Sequence, residues 1–138
     1  MAIYFFNEDI DFTLNDEATT TNWIKDILYD ESRVEENINY VFCSDEYLHQ
    51  LNKEYLDHDT FTDIITFDNS EPESNIEADI FISIERVKEN ATQLNKPFEE
   101  ELHRVMIHGL LHILGYSDKS ESEKRIMREK EDACLSLR

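Results

Sequence analysis

Met106-Ile107-His108-Gly109-Leu110-Leu111-His112-Ile113-Leu114-Gly115-Tyr116-Ser117-Asp118 is the stretch on which both the fold and the chemistry of this chain turn. Two histidines four residues apart on a helix lie about 40° apart around its axis, so both imidazoles can face one metal ion. Gly115, just past the second histidine, can end the helix in a left-handed turn. That turn folds the chain back and lets Asp118 reach the same coordination sphere. Two histidines and a carboxylate form a three-ligand set that suits zinc, one ion per chain, with a position left open for water. An open position points to catalysis rather than bracing.

The surrounding residues (Val105, Met106, Ile107, Leu110, Leu111, Ile113, Leu114) are apolar on nearly every face, which predicts a central helix buried all round. Imidazoles on such a helix need partners, because an unpaired buried polar group costs several kcal/mol. A metal satisfies two stacked imidazoles at once; the competing reading is a pair of hydrogen-bonded core histidines. Asp118 has its own alternative, as a helix cap or a solvated loop residue. His103 falls about 140° from His108 and about 180° from His112, which places it on an exposed surface.

A chain of 138 residues suits one domain, 1–138, with a single core. No stretch has the apolar length of a membrane span, and the N-terminus lacks the basic region of a secretory signal. Cys43 and Cys134 are far apart, match no metal-ligand spacing, and fit a reduced cytoplasmic setting. The net charge of −19 repels polyanions and is poor ground for non-specific nucleic-acid binding, so DNA is not an expected partner. Much of that charge reads as solvated helix faces, as in Glu99-Glu100-Glu101 and the run from Glu121 to Asp132.

Periodicity predicts a strand over Ile3–Asn7, then a helix capped at Thr20 or Thr21 that carries Trp23, Ile24, Ile27 and Leu28. A strand follows over Asn39–Ser44, and Ser44 or Asp45 caps a helix with Tyr47, Leu48, Leu51 and Tyr55. Asp63–Phe67 and Ala78–Ile84 read as strands able to pair as a hairpin across a loop containing Pro72. Helices are expected from Glu85 to about Leu94, from Pro97 to Leu114, and from Ser120 or Ser122 onward. The fold class is therefore α+β: a small mixed four-stranded sheet covered by about five helices, with the metal site on a central buried helix.

The run His108 to Tyr116 resembles the metal motif of the YbeY family, bacterial endoribonucleases that act as ribosomal RNA maturation factors. Two further blocks are similar to that family. Leu51-Asn52-Lys53-Glu54-Tyr55 followed by Thr62-Asp63-Ile64-Ile65-Thr66-Phe67 is one, and Ala78-Asp79-Ile80-Phe81-Ile82-Ser83 is the other. The resemblance implies a small α+β domain and a zinc ion on His108 and His112, with the third motif position falling on Asp118 where the family has histidine. It further implies a single-strand-specific endoribonuclease in the cytoplasm that matures the 3′ end of small-subunit ribosomal RNA and serves ribosome quality control. Ribosomal RNA and ribosomal proteins are the implied partners, and basic ribosomal proteins would make physical sense of the acidic surface. The family's arginine falls on Leu56, removing a natural phosphate partner; His58 or a lysine is a candidate to compensate.

In His-Glu-x-x-His peptidases the glutamate beside the first histidine is the general base. Here that position is Gly109, which cannot take a proton, so the expected chemistry is metal-assisted hydrolysis of a phosphodiester. Asp63 and Thr62 are candidate catalytic helpers, with a strand-entry cap as their structural alternative. Asp79 reads as structural. A metal-dependent hydrolase of another substrate and a ribosome-associated scaffold with structural zinc remain the alternative functions.

Overall fold

The computed structural model describes residues 2–72 and 74–138. Strand β1 (Ala2–Asn7) leads through α1 (Glu17–Asp30) into β2 (Glu35–Cys43), and α2 (Asp45–Leu56) precedes β3 (Ile64–Asp68) and β4 (Ile76–Ser83). Helices α3 (Ile84–Leu94), α4 (Phe98–Ile113) and α5 (Glu121–Ser136) follow. The four strands form one sheet in the order β1-β2-β4-β3. β1 pairs parallel with β2 and β2 parallel with β4, while β3 runs antiparallel to β4 along the edge. This is the mixed four-stranded α+β architecture that the alternation of patterns leads one to expect.

Alternation along the strands sorts side chains onto two faces. Ile3, Ile38, Tyr40, Phe42, Ile80 and Ile82 enter the main core with Trp23, Ile24, Ile27 and Leu28 of α1 and the apolar residues of α4. On the opposite face Ile65, Phe67 and Phe81 pack with Leu48 and Leu51 of α2. α4 lies against β3 and β4 and between α3 and α5, which makes it the central helix. Its Leu102, Met106, Ile107, Leu110 and Leu111 are buried. Gly109 is its point of closest approach to the sheet: a Cβ there would lie 2.6 Å from Ile64 Cδ1 and 3.2 Å from Ile80 Cγ2.

Several boundaries differ from the sequence-based expectation: β4 runs Ile76–Ser83 rather than Ala78–Ile84, because Ile84 opens α3, and three others follow. α1 begins at Glu17, so Thr20 lies inside it, buried, and its hydroxyl accepts a hydrogen bond from Arg138 at 2.9 Å. Packing of Trp23 and Ile27 holds this helix, and the extra turn gains an acidic residue at its positive end. β2 starts at Glu35 because its early residues pair with β1 and β4, with a register irregularity between Glu35 and Asn37. Pro97 caps α4 from outside rather than sitting in its first turn. Elsewhere the expected signals hold. Ser44 accepts from the Tyr47 amide at the start of α2, and Ser120 and Glu123 form a reciprocal capping box at the start of α5.

Candidate metal centre

α4 is not buried on every face. One stripe, carrying Glu101, Val105, His108 and His112, opens into a cleft, and the imidazoles of His108 and His112 are 27% and 31% exposed. The helix ends as expected: Gly115 has φ +106°, and the Tyr116 amide donates back to the Leu111 carbonyl at 3.0 Å. The Tyr116 hydroxyl then donates to Glu31 at 2.8 Å, and Lys130 holds the same carboxylate at 2.9 Å. This anchored turn brings Asp118 back over the histidines.

The Nε2 atoms of His108 and His112 lie 3.0 Å apart, and Asp118 Oδ2 is 3.5 Å and 3.4 Å from them. Zinc bonds of about 2.0–2.1 Å at tetrahedral angles separate neighbouring ligand atoms by about 3.3–3.4 Å. The triangle therefore has the size of one face of such a site. The donor set, two imidazole nitrogens and a carboxylate oxygen, has the right chemistry as well. Among the described residues, these three are the His/Cys/Asp/Glu side chains whose ligand atoms converge in this way.

A fourth residue orients the cluster. Glu131, only 5% exposed, stands 2.6 Å from His108 Nδ1 and also accepts from Arg104 at 2.8 Å. With Nδ1–H donated to this carboxylate, the lone pair of His108 is fixed on Nε2, the atom that faces Asp118. The hydrogen bond to Glu131 is the main reason that the His108 pKa is raised. Burial pushes Glu131 the other way, but the hydrogen bonds from His108 and Arg104 outweigh it and hold its carboxyl below the ordinary range.

The charge pattern alone counts Glu131 among solvated acids, and Glu101 with it. Both are buried. The signal that finds Glu131 is spacing: with Met127 and Cys134 it forms the buried stripe of α5, so a carboxylate occupies a core position. Glu101 similarly lies seven residues before His108 on the open stripe of α4. Burial, reinforced by the charge of Asp63, raises its pKa.

Two clefts meet at the cluster. One, of about 310 Å³, is bounded by Arg104, Lys124, Arg128 and Glu101; the other, of about 770 Å³, by Leu56, His58, Thr62, His112 and Lys119. Asp63, Ile64, His108 and Asp118 line both. Asp63 is thus brought to the site, and burial raises its pKa against the opposing charges of His108 and Arg86. Thr62 reaches the larger cleft, with its hydroxyl 3.5 Å from the Ile64 carbonyl. Asp79 lies on the other face of the sheet, where it accepts from Asn39 and Asn69, in keeping with a structural role. His103 is not at an exposed surface: it is half-buried edge-on to Trp23, and desolvation with the nearby Arg138 lowers its pKa to about 4.

Comparison with known proteins gives this geometry its context. The family model for endoribonuclease YbeY matches residues 4–137. The chain belongs to the endoribonuclease YbeY family. An endoribonuclease YbeY from Cytophaga hutchinsonii is 54% identical over 99% of the chain and 96% of that protein. The Bacteroides fragilis relative of the same description is 46% identical over 100% and 99%. The solution structure of a Thermotoga maritima protein superposes with a TM-score of 0.68 at 26% identity, covering 97% of this chain and 87% of that one. Membership places the chain among hydrolases that cut RNA, and the His108–His112–Asp118 cluster lies in the part of the fold that α4 and its C-terminal turn build.

Proposed function

We propose that this protein is a zinc-dependent endoribonuclease acting on single-stranded ribosomal RNA, at the 3′ end of the small-subunit molecule. The observation that carries the reading is the His108–His112–Asp118 triangle, sized for one metal and backed by Glu131, in a chain of an endoribonuclease family. His108, His112 and Asp118 would hold a zinc ion, whose chemistry when bound would be to offer positive charge to a phosphoryl oxygen and to lower the pKa of a water. Glu131 fixes the His108 tautomer and Arg104 braces Glu131. Besides the ligand Asp118, Asp63 is the carboxyl group that lines both clefts, with its pKa raised by burial, and it is placed to exchange a proton with the leaving oxygen. Thr62 positions the strand entry that presents Asp63, beside the Asp63 carbonyl bond to the Ser83 amide at 3.0 Å.

A peptidase reading finds no base beside the first histidine, because Gly109 is pressed against Ile64 and Ile80 of the sheet. Ribosome quality control, a cytoplasmic location and contacts to basic ribosomal proteins belong to the same proposal. They are supported by the strongly acidic surface and by the family; among the described residues no helix is long and apolar enough to cross a membrane. Cleavage of a ribosomal RNA precursor by the metal-loaded protein, lost in an Asp118→Ala variant that melts like the wild type, is the expected result. Equal cleavage by that variant would remove Asp118 from the catalytic centre, and precursor binding with no cleavage by either protein would favour the scaffold instead.

A further inference from the structure

Helix α5 puts Lys124 and Arg128 one turn apart on the wall of the smaller cleft, facing the space that Asp63, His108 and Asp118 line. Among the described residues neither side chain has an ion pair or hydrogen bond. Two other cations nearby are engaged. Arg104, in the same cleft, is held by Glu131 at 2.8 Å and Asp132 at 2.6 Å, and Lys130 by Glu31 at 2.9 Å. In a chain with 32 acidic residues and 13 basic ones, uncommitted cations beside a catalytic cluster require an explanation.

Local charge supplies one. Arg104, Lys119, Lys124 and Arg128 in the two clefts stand against Asp63, Glu101, Asp118 and Glu131, a balance of four to four. The surface as a whole repels a polyanion, while the site does not, and a divalent metal tips it positive. The larger cleft offers the apolar Leu56, 42% exposed, on its lip. Among the described residues the larger cleft has one uncommitted cation, Lys119, against the two on the smaller cleft, which is therefore the flank better suited to phosphate.

We propose that Lys124 and Arg128 bind the phosphate adjoining the scissile one, so that the RNA strand leaves the metal cluster along α5. This rests on the RNA-cleaving function proposed above. An ammonium and a guanidinium one helical turn apart can share one phosphate, the guanidinium through paired N–H donors. Contacts of this kind are blind to sequence and weaken with salt.

The test compares the zinc-loaded wild type with a Lys124→Ala/Arg128→Ala variant, a Lys124→Arg/Arg128→Lys swap and an Arg125→Ala control. Zinc content, melting temperature, and affinity for a short fluorescent single-stranded RNA across a salt series are measured, with cleavage followed on gels. The double alanine variant is expected to keep its zinc and its melting temperature. It should bind about tenfold more weakly at low salt, with a slope of log affinity against log salt shallower by about 0.7, the change expected for one phosphate on a single strand. The charge-preserving swap and Arg125→Ala should keep the wild-type slope. A double variant with wild-type affinity and slope, while the wild type binds and cuts RNA, overturns the α5 role alone. A zinc-loaded wild type that neither binds nor cuts RNA overturns the proposed function, and the α5 role with it.

Discussion

Helices α4 and α5 each have sixteen residues and each faces the same cluster, yet they present their chemistry in opposite ways. α4 is apolar around most of its circumference, so His108 and His112 stand out against it and announce a site. α5 is dense in charge, and Glu131, the carboxylate that orients His108, is one acid among many. A functional polar residue is conspicuous where its neighbours are apolar. On a charged helix, only its place in the buried stripe gives it away.

The contrast can be broken most severely from the α4 side. Gly109→Glu puts a carboxylate into the 2.6 Å gap at Ile64, where both overpacking and burial of charge act. A loss of more than about 3 kcal/mol in urea unfolding is expected, with no peptidase activity in any folded fraction. From the α5 side the effect should be on metal rather than on folding. Glu131→Gln keeps the shape but removes the charge that steadies His108 Nδ1–H and Arg104. Zinc affinity should fall about tenfold or more in a chelator competition, with the circular dichroism spectrum unchanged.

A gentler probe separates the buried back of α4 from its open stripe. His103 packs on Trp23 with its pKa lowered to about 4 in the folded protein, below the ordinary histidine value. The unfolded chain therefore takes up this proton first as pH falls. Stability present above pH 6.5 should be lost progressively down to about pH 4, and then level off for this group. Urea midpoints at pH 7 and pH 5 should differ less in His103→Gln than in the wild type; equal differences would remove His103 as a cause. The smallest expected change is at the start of α5, where Ser120→Ala removes half of the capping box and should cost about 1 kcal/mol in urea unfolding while leaving bound zinc unchanged.

The same contrast explains what could be read from the residues alone. Strand alternation and the i, i+4 histidines are local patterns, and they lead directly to the four-stranded sheet, the central helix and the convergence of His108 and His112. Asp118 was reachable too, because Gly115 sets the turn that returns the chain. The start of α1 was not: it depends on Trp23 packing and on Arg138 reaching Thr20, contacts made across the whole chain. The place of His103 is hidden from the sequence for a related reason. Helical spacing puts it opposite His112, but α1 and the C-terminal residues cover that side. Glu101 and Glu131 were hidden because charge runs read as solvent-facing until a neighbouring helix is laid against them.

Metal content of the tag-free protein, reconstituted with zinc and measured by mass spectrometry beside His112→Ala and Asp118→Ala, tests the central claim most directly. The expected result is about one zinc per wild-type chain and little in either variant, each of them still folded. A wild type that takes up no zinc, or an Asp118→Ala variant that holds it as tightly as the wild type, would contradict the three-ligand centre.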